Sequence, residues 1–413
     1  MKVEFLKNLV SESIKYDTIP QFAAQDEFAG IQALVYDGLQ LSRGKTKVFA
    51  YLGLPAARQG LVPAVLLVHG YGGHPFLPWI KMWNARGYAA LAMDVTGYFP
   101  RRINSGSTEG DSQNWRHGPY GLFEESGYCA GPDNDLMDIT GREARDHWIA
   151  YALAAVLKGH AVLKQMMEID FRHIGIMGIS WGGVITALAL GYDPELAFAV
   201  AVYGSGFLSE TMTEFSEMFS SEAAKKYWVA EEYFHDVQIP VLWQCWNDDC
   251  NFSLNANCKS YEATKKNNNR SALSIIDQMY HSHTHAWRRK EAFLFADEIV
   301  FGSVKTPRFF DEVTQESAII DLGNAVKIQN ARVMYITTDY TYAQIPKYTA
   351  SDRWFMKGDW KNVPCTVRKD CVHYHLPPDA VWWYIELTAV YSSKEEFTVC
   401  TPMMRKTGSL LAH

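Results

Sequence analysis

From Val62 to about Val300 the chain alternates short runs of β-branched and other apolar residues with segments whose apolar positions recur at helical spacing. That alternation predicts a parallel sheet covered by helices, because parallel strands are buried on both faces and read as continuous hydrophobic runs. "LVPAVLLVHG" is such a strand, ending in glycine. "FLPWIKMWNARGYAALAMD" predicts a helix with Trp79, Met82 and Trp83 on its inner face, a stop at Gly87 and a strand ending at Asp94. A second helix over about Asp146 to Met167 leads into the strand "HIGIMGI", and "LAFAVAVYG" and "PVLWQCW" supply two more. Beyond Thr306 the period shortens. "ARVMYITTD", "CTVRKDCVHYHL", "AVWWYIELTAVY" and "EEFTVCTP" are strand-like, with turn residues between them and no helix. The expected organisation is therefore an α/β domain over 1–304, with an N-terminal extension, and a β-sandwich-like domain over 305–413. Two stretches interrupt the α/β pattern: about 97–141, rich in Gly, Ser, Asn and aromatics and expected as an active-site wall, and 209–236, expected as a helical lid.

Composition narrows the partners. With 413 residues, 48% of them hydrophobic and 21% charged, the chain is large and apolar enough for two packed domains. A net charge of −7 with scattered basic residues leaves no footprint for nucleic acid. The N-terminal segment has no apolar core of signal-peptide length, and no run of about 18 apolar residues occurs, so a cytoplasmic protein without a membrane partner is expected. Seven cysteines, an odd number without C-x-x-C pairs, predict free thiols. Cys365, Cys371, His373 and His375 lie close together, but their alternation fits a strand better than a zinc site.

The most specific chemical signal is "IGIMGISWGG". Gly178, Ser180 and Gly182 match G-x-S-x-G between an apolar strand and a helix, the context in which a nucleophilic serine is lifted above a sheet. The turn would place the Trp181 N–H at the positive end of the helix as one oxyanion donor. The second donor is expected from the loop "LVHGYGGH", at the N–H of Tyr71, with His69 structural. An acid and a base should follow in the order Ser, Asp or Glu, His. "NDDCNF" offers Asp248 and Asp249, and "YHSHTHAW" offers His281, His283 and His285. Three histidines at alternate positions could also cradle a metal, although the acidic partners of metallohydrolase motifs are missing.

Taken together, "VLLVHGYGG", "GISWGG", "VYGSGFL", "PVLWQCWNDDCNFSLNANCKSY" and "MYHSHTHAW" resemble the acetyl xylan esterase-like and cephalosporin-C deacetylase-like family, related to hydrolase domains of prolyl oligopeptidase type. The resemblance implies an α/β-hydrolase fold followed by a C-terminal all-β domain. It also implies a glycine, two residues and then the acid after "PVLW"; here Trp246 stands at the glycine position and Asp249 at the acid position. His281 follows the exit turn of the last strand and is the expected base, with His283 the alternative because the family commonly keeps the H-x-H pair. Trp287 is a candidate surface for packing on a sugar, with a core role as the alternative.

The resulting expectation is a Ser-His-Asp esterase that removes a small acyl group, such as acetyl, from a carbohydrate or similar small molecule through an acyl-enzyme, with no cofactor and no metal. Two alternatives stay open: a serine peptidase of prolyl oligopeptidase type, and a catalytically inert binding protein.

Overall fold

The computed structural model describes residues 3–24, 26–101, 117–118, 121–125, 139, 141–211, 214–249, 251–338 and 359–406. The chain divides into two compact units, Met1–Gly204 with Met218–Tyr233, and Ser205–Glu217 with Phe234–His413. In broad terms it is an α/β core followed by a mostly antiparallel β region.

The first unit is built on β1 (Tyr16–Thr18), β2 (Gln32–Asp37), β3 (Lys47–Gly53), β4 (Val62–Val68), α1 (Leu77–Ala85) and β5 (Ala89–Met93). It continues through β6 (Tyr98–Arg101), β7 (His117–Gly118), β8 (Gly121–Glu125), α2 (Trp148–Lys164), β9 (Ile169–Ile179), α3 (Trp181–Ala189) and β10 (Ala199–Val202). Its sheet runs β1-β2-β3-β5-β4-β9-β10. The first four strands in that order pair antiparallel, and β5, β4, β9 and β10 pair parallel. Every residue of β4 is buried, as the unbroken run "VPAVLLV" requires of a strand covered on both faces. α2 is apolar around most of its circumference and is buried almost throughout, the signature of a helix inside the core rather than on its surface. In α1, Trp79 and Trp83 are fully buried; truncating either to alanine should destabilise by about 3–5 kcal/mol.

The stretch expected as an active-site wall, about 97–141, contains a small antiparallel sheet, β6-β8-β7, with Tyr98 opposite Glu125 and His117 opposite Leu122. Most of its other residues lie outside the described ones. Its entry is fixed by Asp94, a fully buried carboxylate that accepts the N–H groups of Thr96 (2.9 Å) and Tyr98 (2.8 Å) and the Thr96 hydroxyl. The 209–236 segment is helical as expected, with α4 (Glu214–Ser220) and α5 (Glu222–Tyr227).

The second unit opens with β11 (Val241–Trp246), α6 (Leu254–Lys265), β12 (Ala272–Ile276), α7 (His283–Trp287) and α8 (Lys290–Val300). β11 and β12 pair in parallel, with Trp246 opposite Ile276. The β-rich tail follows: β13 (Arg308–Val313), β14 (Ser317–Asp321), β15 (Lys327–Ile336), β16 (Lys361–Pro364), β17 (Thr366–Arg368), β18 (Cys371–His373), β19 (Trp382–Val390), β20 (Glu396–Cys400) and β21 (Met404–Arg405). One sheet is ordered β13-β14-β18-β17 and the other β16-β15-β19-β20, with β21 paired to β19. The rings of Tyr374 and Trp383, 5.4 Å apart, link the two. "CTVRKDCVHYHL", read as one strand, is a tight hairpin of β17 and β18 that turns at Lys369 with φ 54°.

Candidate active site

β9 ends at Ile179 and α3 begins at Trp181, so Ser180 alone makes the turn. Its backbone sits at φ 59°, ψ −121°, a conformation that costs a residue with a side chain on the order of 1–3 kcal/mol. The surroundings hold it there. Its N–H donates to Val202 C=O (2.8 Å), and its C=O accepts from Gly183 N–H (2.8 Å) and Val184 N–H (3.1 Å). The flanking glycines are required by close approach: a Cβ on Gly178 would collide with the Gly182 carbonyl and the Thr186 hydroxyl, and one on Gly182 with the Val68 carbonyl. Trp181 supplies the first N–H of α3, at the positive end of the helix dipole. Its ring is 3% exposed and packs edge-on against Trp148 at 5.3 Å, so it serves the core.

The loop after β4 makes a tight turn, closed by Gly73 N–H to Gly70 C=O (3.0 Å), with Gly72 at φ 67°. Tyr71 occupies the exposed corner, and its N–H is not the one that closes the turn. His69 is buried beneath it. Its Nε2 accepts the Val95 N–H (3.1 Å), which forces the proton onto Nδ1, where it donates to Gly70 C=O (2.8 Å). The 3.6 Å approach of Nε2 to Asp94 therefore carries no proton, and His69 is a structural tie, as expected.

In the second unit the turn after β11 carries Asp249, 3% exposed. Its Oδ1 accepts the N–H groups of Asn251 (2.9 Å) and Phe252 (3.0 Å), an Asx turn that fixes the carboxylate plane. Its Oδ2 receives His281 Nδ1 at 2.7 Å. With Nδ1–H donated to a carboxylate, the neutral imidazole has its lone pair on Nε2, the tautomer a general base needs. The Phe252 ring stacks on the imidazole (5.9 Å, 14°) and on Phe215 behind it (5.4 Å, 27°). Trp246, at the position where the resemblance implies glycine, is the last residue of β11, has no positive φ, and packs on Tyr280 at 5.5 Å.

The three histidines go to different tasks. His281 pairs with Asp249, and His283 opens α7. His285 donates its N–H to Ser282 Oγ (3.1 Å) and holds the same hydroxyl at Nδ1 (2.7 Å), so it belongs to the cap of α7. Among the described residues no three His, Cys, Asp or Glu side chains gather as metal ligands would. Trp287 is 8% exposed, which leaves little of its ring for a sugar. The supporting roles of Phe252, Asn251 and Tyr280 were missed in the sequence; the Asp249-to-Asn251 spacing of an Asx turn was the one signal available.

A family model described as acetyl xylan esterase (AXE1) matches residues 3–238, more than half of the chain and ending before Asp249. Among solved structures, the acetyl xylan esterase from Paenibacillus sp. R4 is 16% identical at a TM-score of 0.46, over 66% of this chain and 84% of that one. Acetyl xylan esterase 1 from Thermoanaerobacterium sp. JW/SL YS485 is 17% identical at a TM-score of 0.48, over 72% and 93%. Pyrococcus horikoshii acylaminoacyl peptidase is 14% identical at 0.44, over 70% and 42%. No curated protein matches the chain. Among the described residues no helix is long and apolar enough to cross a membrane.

Proposed function

Because this chain belongs to the acetyl xylan esterase family, we propose that it is a serine hydrolase that removes a small acyl group, such as acetyl, from a carbohydrate or similar small ester. The observation that carries the reading is Ser180 held at φ 59° between a strand and a helix, a strained geometry that a purely structural serine has no need of. The Asp249 to His281 hydrogen bond supports it from the other side, since it sets the tautomer of a base.

In this mechanism His281 Nε2 takes the Ser180 proton as Oγ attacks the ester carbonyl. The Trp181 and Tyr71 N–H groups hold the oxyanion, and His281 then returns the proton to the departing alcohol. Water repeats the sequence on the acyl-enzyme and releases the acid. Asp249 stays ionised throughout and stabilises the imidazolium. No step calls for a cofactor.

Acetyl esters of sugars and of 4-nitrophenol should turn over, whereas aminoacyl and peptidyl amides should not, and Ser180→Ala should abolish turnover with the fold intact. Faster cleavage of the amides would favour a peptidase, and wild-type turnover by Ser180→Ala would end the hydrolase reading.

A further inference from the structure

The loop that carries His281 is short and twice strained. β12 ends at Ile276, and before His281 the backbone takes positive φ at Gln278 (56°) and Tyr280 (53°), neither of them glycine. Such a loop keeps its shape only if its surroundings over-determine it. Part of that hold is a polar chain rooted in the β-rich tail. Asp277, the first residue after β12, accepts Asn247 Nδ2–H at Oδ1 (3.4 Å), and its Oδ2 lies 3.7 Å from Arg332 Nη2. Arg332 is itself fixed by a fork to Glu386, Nε to Oε1 at 2.9 Å and Nη2 to Oε2 at 3.1 Å, with Asn330 Nδ2 adding a bond to Oε1 at 3.2 Å. The fork is set by the sheet, because Arg332 and Glu386 are direct partners in the β15–β19 register.

Asn247 is fully buried and stands two residues before Asp249. Its bond to Asp277 therefore ties the root of the acid-bearing turn to the root of the base-bearing loop, and Arg332 ties that junction to the sheet. Burial lifts the Glu386 carboxyl above the ordinary carboxylate range although Arg332 pulls it down. Burial likewise opposes the Arg332 charge, which the Glu386 bonds more than restore. An ion pair with one partner buried and the other partly exposed adds little net stability compared with apolar packing. Orientation is what a bidentate fork supplies.

We infer that Arg332 is a positioning residue for the Asp249–His281 pair and acts through Asp277, which gives the β-rich tail a part in catalysis. The inference rests on the proposed roles of Asp249 and His281. A misplacement of about 1 Å at a reacting group can lower rate about a hundredfold, so Arg332→Ala should lower kcat by roughly tenfold to a hundredfold.

The test uses the full chain, with 4-nitrophenyl acetate as substrate and the His281 Nδ1 proton followed by NMR. Arg332→Ala is expected to lower kcat to that extent with KM within about twofold, and to weaken or shift the Nδ1–H signal. Arg332→Lys, which keeps a charge toward Asp277, should recover at least about threefold of the loss. Wild-type kcat and an unchanged Nδ1–H signal in Arg332→Ala would overturn the inference, as would losses in both variants that merely follow the folded fraction. Should Arg332→Ala not fold, Arg332→Lys and Asp277→Asn decide: lowered kcat at constant KM with a shifted signal supports the inference, and wild-type behaviour of both overturns it. Ser180→Ala run alongside separates the two levels. An inactive Ser180→Ala with an unaffected Arg332→Ala removes the positioning role alone, whereas an active Ser180→Ala removes the triad and the inference with it.

Discussion

Replacing Asp249 by asparagine changes no shape and little volume, yet it should remove nearly all activity, and the size of the loss follows from three hydrogen bonds. Oδ1 accepts from the N–H groups of Asn251 and Phe252, while Oδ2 accepts from His281 Nδ1–H. An asparagine that keeps its oxygen on the two N–H groups turns its NH2 toward His281. Nδ1 must then accept, the proton moves to Nε2, and the base is blocked. The productive tautomer returns only if the amide flips, which sets NH2 against two N–H donors. A buried donor left without an acceptor costs about 1–3 kcal/mol, so leaving two costs roughly 2–6 kcal/mol. At about 1.4 kcal/mol per factor of ten the reactive fraction falls by about thirtyfold to ten-thousandfold. Losing the charge that stabilises the imidazolium lowers the rate further. Asp249→Asn should therefore lose at least about a thousandfold in kcat for acetyl ester hydrolysis, with its melting temperature close to wild type. Asp248→Asn should stay within about thirtyfold. A thirtyfold or smaller loss in Asp249→Asn, or a dead Asp248→Asn, would refute the reasoning.

For the histidines, His281→Ala should fall by at least about a thousandfold and His283→Ala by no more than about thirtyfold, measured as kcat on the same ester; the reverse order would move the base two residues along the loop. Dialysis against EDTA should leave activity unchanged, and a loss restored by zinc would revive a metal role for the His281, His283, His285 run. Burial pushes the thiols of Cys258 and Cys365 up to about 12, well above the ordinary value of about 8.5. At pH 8 both stay protonated in the folded protein, so iodoacetamide should modify them slowly until the chain is unfolded, and mass spectrometry showing rapid native labelling would contradict this. The stability these two groups add is present below about pH 8.5 and is lost as pH rises toward about 12.

Those elements whose burial is written in their own residues were legible from the sequence. β4, β5 and the second half of β9, from Ile174, are unbroken apolar runs, and α3 is announced by the small residues around Ser180. The turn between β17 and β18 was not legible, because "RKD" carries none of the glycine or asparagine that usually marks a tight hairpin, and Lys369 takes the positive φ itself. Taken by themselves the residues left Asp248 and Asp249 open, and the family resemblance alone favoured Asp249. Adjacent residues differ only in where the backbone aims them, and the aim is set by the Asn251 and Phe252 N–H groups. Arg332 and Glu386 are 54 residues apart, and nothing local in either strand links them to Asp277.

The central claim is that Ser180 is a nucleophile activated by His281, and covalent labelling tests it most directly. The wild-type chain treated with a fluorophosphonate should gain one adduct, found on Ser180 by peptide mass spectrometry, and His281→Ala should label at least about a hundredfold more slowly. No adduct, an adduct on another residue with Ser180 unmodified, or equal labelling rates for wild type and His281→Ala would contradict the account.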